Sequence, residues 1–248
     1  MSWPKMIWIE PDWPVPTTIH AVTTLRDGGI SQPPYATLNL AAHVGDRPEH
    51  VAENRHIIRQ ELQLPTEPFW LHQVHSAIAV PATADSSITQ VTGDASFSRQ
   101  AGIVCAVMTA DCLPILLADE QGETIAAIHA GWRGLAAGII DNTFKQLPAD
   151  HRYLAWLGPA IGPDCFEVGD DVRVAFVQRD SAFESAFKKQ RCGKWLADIY
   201  QLARINLRKF KVDQIYGGDR CTVSEPDCFF SYRRDGQTGR MATLIWRD

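Results

Sequence analysis

At 248 residues, with 45% apolar and 21% charged side chains, the chain can bury a substantial core and has an ordinary globular composition. A formal net charge of −5 offers no electrostatic footprint for nucleic acid, and no apolar run approaches the ~20 residues of a membrane helix. Prolines and acids interrupt the N-terminal stretch MSWPKMIWIEPDWPVP where an export signal needs a continuous apolar segment, so a cytoplasmic protein is expected.

In chain order, residues 17–25 (TTIHAVTTL) read as a strand and RDGG as the turn after it. Residues 46–64 read as a helix, with Asp46 as cap, Pro48 in the first turn and apolar residues at helical spacing. Strands follow at 74–80 (VHSAIAV), 94–98 (DASFS), 103–109 (IVCAVMT), 114–119 (PILLAD) and 124–130 (TIAAIHA). The last three are nearly continuous apolar runs, the pattern of strands covered on both faces. A helix is expected at 134–147, a strand at 153–158, a helix at 170–179 and the clearest amphipathic helix at 195–210, before strands near 213–217 and 240–246. Helices and strands interleave, yet several adjacent strands have only hairpin-length links. An α+β arrangement, with mixed and largely buried sheets flanked by helices, therefore fits better than a doubly wound parallel sheet. No repeat, low-complexity stretch or linker divides the chain, so residues 1–248 read as one domain.

Six cysteines, at 105, 112, 165, 192, 221 and 228, include no C-x-x-C pair. They are expected as free thiols, most of them small core residues. Three side chains suit a transition metal: His75 in WLHQVHS, Cys112 in TADCLP and His129 in AAIHAGWRG. Two imidazoles and a thiolate suit Zn²⁺, and three protein ligands leave a fourth position open, as in catalytic sites. Cys112 and His129 end two adjacent strands, so a short antiparallel pairing would bring them together. The plain alternative is a core thiol and packed histidines, and spacing alone does not decide between them. HAGWRGLAAG places Trp132 and Arg133 among glycines just before a helix, which suits an anion or simply a tight turn. FFSYRRDGQTGR combines aromatics with arginines, which suits a planar or phosphorylated ligand or a charged hairpin. Asn39, between apolar neighbours, is a ligand contact or a turn-capping amide.

The blocks LRDGGIS, PPYATLNLAAHVGD, QVHS, GDASFS, VMTADCLPILLAD, AAIHAGWRGLAAG, AWLGPAIGPDCFEVGDDV, GGDRCT and FFSYRRDGQTGRMA run almost end to end. Together they resemble the YfiH family, long labelled multicopper polyphenol oxidase or laccase-domain proteins. The resemblance implies a layered sandwich of the YfiH/CNF type and a zinc site formed by His75, Cys112 and His129. Ser76 stands where relatives usually have glycine, and Leu25 where they more often have threonine. The implied activity is phosphorolysis of purine nucleosides (adenosine, inosine, guanosine, methylthioadenosine) with adenosine deamination as a side activity.

Phosphorolysis needs an anion site beside the ribose, for which Arg55, Arg133 and Arg233 are candidates. Arg26, Asn39 and Phe230 complete the expected substrate-binding set. Deamination needs a proton-shuttling carboxyl group. Asp111, next to a ligand, is the best placed in sequence for that role, or for orienting a ligand histidine. Copper can occupy such a site adventitiously. A multicopper oxidase, however, needs many histidines, typically in H-x-H pairs, and this chain has eight histidines and no such pair. Two other readings stay open: Cys112 and His129 as nucleophile and base of a metal-free amide hydrolase, such as an editor of peptidoglycan precursors, and a partner protein with a vestigial site. Purine nucleosides and phosphate are the expected ligands, with no nucleic acid or membrane partner; the sequence leaves the oligomeric state open.

Overall fold

The computed structural model describes residues 8–84 and 91–248; residues 1–7 of the N-terminal stretch read against an export signal lie outside them. In chain order the elements are β1 (Trp8–Ile9), β2 (Ile19–Thr24), α1 (Pro48–Glu61), β3 (Ala79–Pro81), β4 (Ala95–Ser98), β5 (Cys105–Thr109), β6 (Leu113–Asp119) and β7 (Ile125–Ala130). There follow α2 (Trp132–Ala137), α3 (Ile139–Phe144), β8 (Tyr153–Leu157), β9 (Glu167–Val168), α4 (Asp170–Val177), β10 (Phe187–Lys189), β11 (Trp195–Ala197), α5 (Ile199–Arg208), β12 (Ile215–Gly217), α6 (Tyr232–Asp235) and β13 (Met241–Arg247). No described helix is long and apolar enough to cross a membrane.

Two sheets stack. One has the order β1-β2-β13-β5 and is antiparallel throughout; the other is mixed, β12-β8-β6-β7-β4-β3, with parallel pairs at its two edges. Side chains alternate across each strand, and in β6 both sets are apolar. Leu116 and Ala118 meet Val107 and Ile245 of the facing sheet, whereas Leu113, Ile115 and Leu117 meet Leu135, Ile139, Phe176 and Leu202 on the helical side. The outer face of the four-stranded sheet carries Val22, Ala106 and Leu244, covered by Ile57 and Ile58 of α1. The layers therefore run helix, sheet, sheet, helix. Antiparallel strands read as continuous apolar runs here because both faces of the inner sheet are covered.

Several boundaries differ from expectation, each for a local reason. Asp46 does not cap α1; Arg47 holds that position, while the Asp46 carboxylate accepts hydrogen bonds from Ser31 Oγ (2.6 Å), Asn39 Nδ2 (2.9 Å) and Arg47 N (2.8 Å). The 134–147 helix is two helices, broken where Gly138 takes φ +88°. The 195–210 helix begins only after Asp198, whose carboxylate accepts the Gln201 N–H (2.9 Å) as an N-cap, and the residues before it form β11. Residues 74–78 form no strand, because the N–H groups of Val74, His75 and Ser76 turn to a carboxylate, described below, and that of Ile78 turns to Ser76 Oγ (3.2 Å). Of the six thiols, all free, only Cys105 is fully buried; Cys192 is exposed and the others are partly so.

Candidate active site

β5 and β6 belong to different sheets, and only residues 110–112 join them. Stacked sheets lie ~10 Å apart and each extended residue spans at most ~3.6 Å, so three bent residues make this crossing with little slack. Within it Asp111 adopts φ +88°, a left-handed conformation that costs a non-glycine residue ~1–3 kcal/mol. The crossing delivers Cys112 to the edge of the inner sheet. There β6 and β7 pair antiparallel, Leu113 opposite Ala130 and Pro114 opposite His129, which places the thiol beside the imidazole as expected.

His75 comes from the 74–78 loop, whose fold is set by one buried carboxylate. Asp94, immediately before β4, accepts hydrogen bonds from the backbone N–H groups of Val74 (3.3 Å), His75 (3.0 Å) and Ser76 (2.6 Å) and from Ser76 Oγ (2.6 Å). This wraps the loop around the acid and holds His75 at φ +59°. The same carboxylate accepts Nδ1–H of His129 (2.7 Å), so His129 Nε2 is the nitrogen left for a ligand. The loop is fixed from behind by Gln73, whose amide exchanges two hydrogen bonds with the Met108 backbone of β5 (2.9 and 2.8 Å).

The three expected donors thus converge. Their ligand atoms lie within 4.8 Å of one another, with Cys112 Sγ 3.7 Å from His75 Nε2. Donors sharing one tetrahedral zinc sit roughly 3.3–3.8 Å apart, given Zn–N near 2.0 Å and Zn–S near 2.3 Å. Nitrogen and sulfur donors this close, with the distal histidine oriented by a carboxylate, fit such an ion. Gly131 makes the approach possible: a Cβ there would lie 2.8 Å from Cys112 Sγ. Burial disfavours charge on Cys112, His129 and Asp94, yet hydrogen bonds and opposite charges among them prevail without a metal. The Cys112 thiol is brought down to about 6 by His129 and His75, and His129, only 4% exposed, is raised to about 9 by Cys112 and Asp94. Asp94 is held at about 2 by hydrogen bonds from His129 and Ser76.

The cluster lies in a cavity of about 520 Å³, lined further by His43, Trp132, Arg133, Tyr232, Arg233 and Arg240. Arg133 lies over the Trp132 ring at 4.3 Å and makes no hydrogen bond or ion pair with the described residues. Arg233 gives part of its guanidinium to the carbonyls of Cys165 (3.3 Å) and Glu167 (3.2 Å). Arg240 donates to the carbonyls of Thr238 and Gly239 (both 2.9 Å). Thr109 also lines the space, and its buried hydroxyl lacks a partner among the described residues.

The other sequence candidates separate from this cavity. Asp111 lines it, but its carboxylate accepts from Thr222 Oγ1 and from the Arg233 backbone N–H (both 2.6 Å), holding the 229–235 segment in place. It reaches neither histidine of the donor set; Asp94 holds His129. Arg55 stands outside, donating to the Leu40 carbonyl (2.9 and 3.0 Å) beneath the Trp70 ring, and burial lowers it to about 10. Arg26 bonds the Pro226 carbonyl (2.7 Å), and Asn39 is fully buried, tying Ala41, Asp46 and Arg240 together. Phe230 is core, 0% exposed. Sequence reading did not single out Asp94, His43 or Gln73, and it reached Tyr232 and Arg240 only as members of the FFSYRRDGQTGR block. An acid opening the expected strand DASFS was the one available signal for Asp94.

Comparison with known proteins places this architecture. Residues 20–248 match the model of a family described as multi-copper polyphenol oxidoreductase laccase. The chain is 52% identical over 240 residues to purine nucleoside phosphorylase YfiH of Escherichia coli, covering 96% of this chain and 98% of that protein. It is 48% identical over 242 residues to a purine nucleoside phosphorylase of Pseudomonas aeruginosa, covering 96% and 98%. Among solved structures, a Neisseria meningitidis protein matches with TM-score 0.92 at 48% identity, covering 97% of this chain and 99% of that one. YlmD from Geobacillus stearothermophilus matches with TM-score 0.90 at 30% identity, covering 99% and 98%.

Proposed function

This chain belongs to the family described as multi-copper polyphenol oxidoreductase laccase, and we propose that it is a zinc-dependent purine nucleoside phosphorylase. The observation that carries the proposal is a His-Cys-His donor set on the floor of a cavity whose wall holds three guanidinium groups, Arg133, Arg233 and Arg240. The names of the similar proteins from Escherichia coli and Pseudomonas aeruginosa support the substrate class.

His75, Cys112 and His129 would hold the ion, which would supply Lewis-acid polarisation when bound. The chain's own residues do the rest. Arg133 is the guanidinium with most donors free, so it takes the phosphate, with Arg233 and Arg240 adding positive potential around it. The faces of Trp132 and Tyr232 and the apolar side chains of Ile161, Phe166 and Ile199 accept the flat base and exclude water. Phosphate oxygen bonds to the ribose carbon as the bond to the purine nitrogen breaks, through an oxocarbenium-like transition state. Adenosine, inosine, guanosine and methylthioadenosine are the substrates, with adenosine deamination a side activity. With adenosine, adenine and ribose 1-phosphate form only when phosphate is supplied. Adenine released at the same rate in phosphate-free buffer would make the reaction a hydrolysis and end this reading.

The laccase label asks more of the chain than it offers. A blue-copper site plus a three-copper cluster needs several donor groups, and His75, Cys112 and His129 are the one cluster of three among the described residues.

A second reading has its own observation. Without metal, Cys112, His129 and Asp94 have the order and polarity of a Cys-His-Asp triad, with the acid on Nδ1 and the thiol at about 6. A cysteine amide hydrolase would use that arrangement directly. Iodoacetamide separates the two: a zinc ligand is labelled slowly in loaded protein and readily after chelation, whereas a nucleophile is labelled at once with the zinc still bound.

A further inference from the structure

A pair of sulfurs lies behind the cavity wall. Residues 160–165 leave β8 and run beside 221–225: Ala160 and Cys221 form a parallel bridge, and Thr222 N–H donates to the Ala160 carbonyl (3.0 Å). This brings two cysteines far apart in sequence to one hydroxyl. Ser224 Oγ lies 3.3 Å from Cys221 Sγ, donating to it, and 3.5 Å from Cys165 Sγ. The two sulfurs are therefore no farther apart than the sum of those contacts. Cys221 Sγ also accepts the Gly162 N–H (3.2 Å). Burial opposes charge on this thiol, but donors from Ser224, Gly162 and Val223 outweigh it and pull the group below its ordinary value. Both cysteines are partly exposed, so a small oxidant can reach them.

We propose that Cys221 and Cys165 form a peroxide-sensitive dithiol that closes to a disulfide. The Cys221 thiolate attacks one oxygen of a hydroperoxide; the S–O bond forms, the O–O bond breaks, and the departing oxygen leaves protonated as water or an alcohol. The Cys165 thiolate then attacks the Cys221 sulfenic sulfur; the S–S bond forms, the S–O bond breaks, and hydroxide leaves as water after taking a proton. The two thiols give up two electrons and the peroxide accepts them. Closure to an S–S distance of ~2.05 Å draws together two segments that hold the cavity. Thr222, next to Cys221, bonds Asp111, and the Cys165 carbonyl receives Arg233. The consequence for turnover rests on the function proposed above; the oxidation itself does not.

The test is peptide mapping of the full, zinc-loaded chain after a small excess of hydrogen peroxide, with free thiols blocked by N-ethylmaleimide and digestion without reductant. The expected result is a Cys165–Cys221 linked peptide that accumulates before the exposed Cys192 is modified and disappears with dithiothreitol. Phosphorolysis falls in step with linkage and returns on reduction. Cys165→Ser should leave a Cys221 sulfenic acid trapped by dimedone, and Cys221→Ser should remove both products. Both thiols still blocked by N-ethylmaleimide at doses that oxidise Cys192, or Cys221 linked to a different cysteine, overturns the assignment whatever the enzyme's activity. A complete linkage with unchanged turnover overturns the control of the cavity.

Discussion

On the floor of the cavity, the Asp94 carboxylate accepts hydrogen bonds from Val74, His75, Ser76 and His129, and every group it holds is fixed by backbone or by a second bond. On the wall, Arg133 lies over the Trp132 ring and makes no hydrogen bond among the described residues, and Tyr232 is 62% exposed. The floor stores strain, with His75 and Asp111 both at positive φ, and its shape is over-determined. The wall spends Arg233 and Arg240 in part on backbone carbonyls but leaves the Arg133 donors unspent. A resident ion needs donors held in place before it arrives, whereas a substrate that enters and leaves needs donors still free to receive it.

Substitutions can break this contrast, and the largest effect belongs to the floor. Cys112→Ala should abolish stoichiometric zinc and lower phosphorolysis on the order of a thousandfold, the several kcal/mol a catalytic metal contributes. Elemental analysis showing unchanged zinc would remove Cys112 from the ligand set. The same thiol reports the electrostatics of the stripped site. Thiolate is the reactive form, so alkylation of chelated protein should rise with pH through an inflection at about 6 and level off above it. An inflection near that of an ordinary free thiol would show that His129 and His75 do not stabilise the thiolate.

Asp94→Asn comes next. It leaves all three ligands in place but loosens the loop and the ring orientation, so zinc affinity should drop ~10–100-fold in a chelator competition. Unchanged affinity would reduce Asp94 to a loop anchor. Among the arginines, Arg133→Ala should raise the KM for phosphate roughly tenfold or more, from the ~1.5–3 kcal/mol of a charged hydrogen bond. Arg55→Ala should leave that KM unchanged and instead lower Tm by a few degrees, because its donors hold the Leu40 carbonyl. A phosphate effect at Arg55 equal to that at Arg133 would erase the distinction drawn between them. The smallest change is Ser76→Gly, which removes one of two hydrogen bonds Ser76 gives Asp94 and should cost about 1 kcal/mol of stability in a denaturant titration.

The sequence by itself determined the alternation of strands and helices and the double burial of the central strands, and it offered His75, Cys112 and His129 as a donor set that family motifs, rather than spacing, selected. These are legible because periodicity and motif identity are local, and because two of the donors end strands joined by a short turn. Even so, local pattern missed what non-local partners impose. Residues 74–78 read as a strand until Asp94 claims their N–H groups, and 195–210 reads as one helix until Asp198 caps its second part. Only the tertiary structure decided which polar residues face the cavity. Arg55 and Arg133 are the same residue type and equally candidates for phosphate in the sequence, but one is spent on a carbonyl and the other is free. Asp94 and Asp111 are both acids at strand ends, yet only Asp94 reaches a ligand histidine. A side chain's role depends on the direction it leaves the backbone and on what packs against it, and for this site both are set by a two-sheet stack that joins residues far apart in the chain.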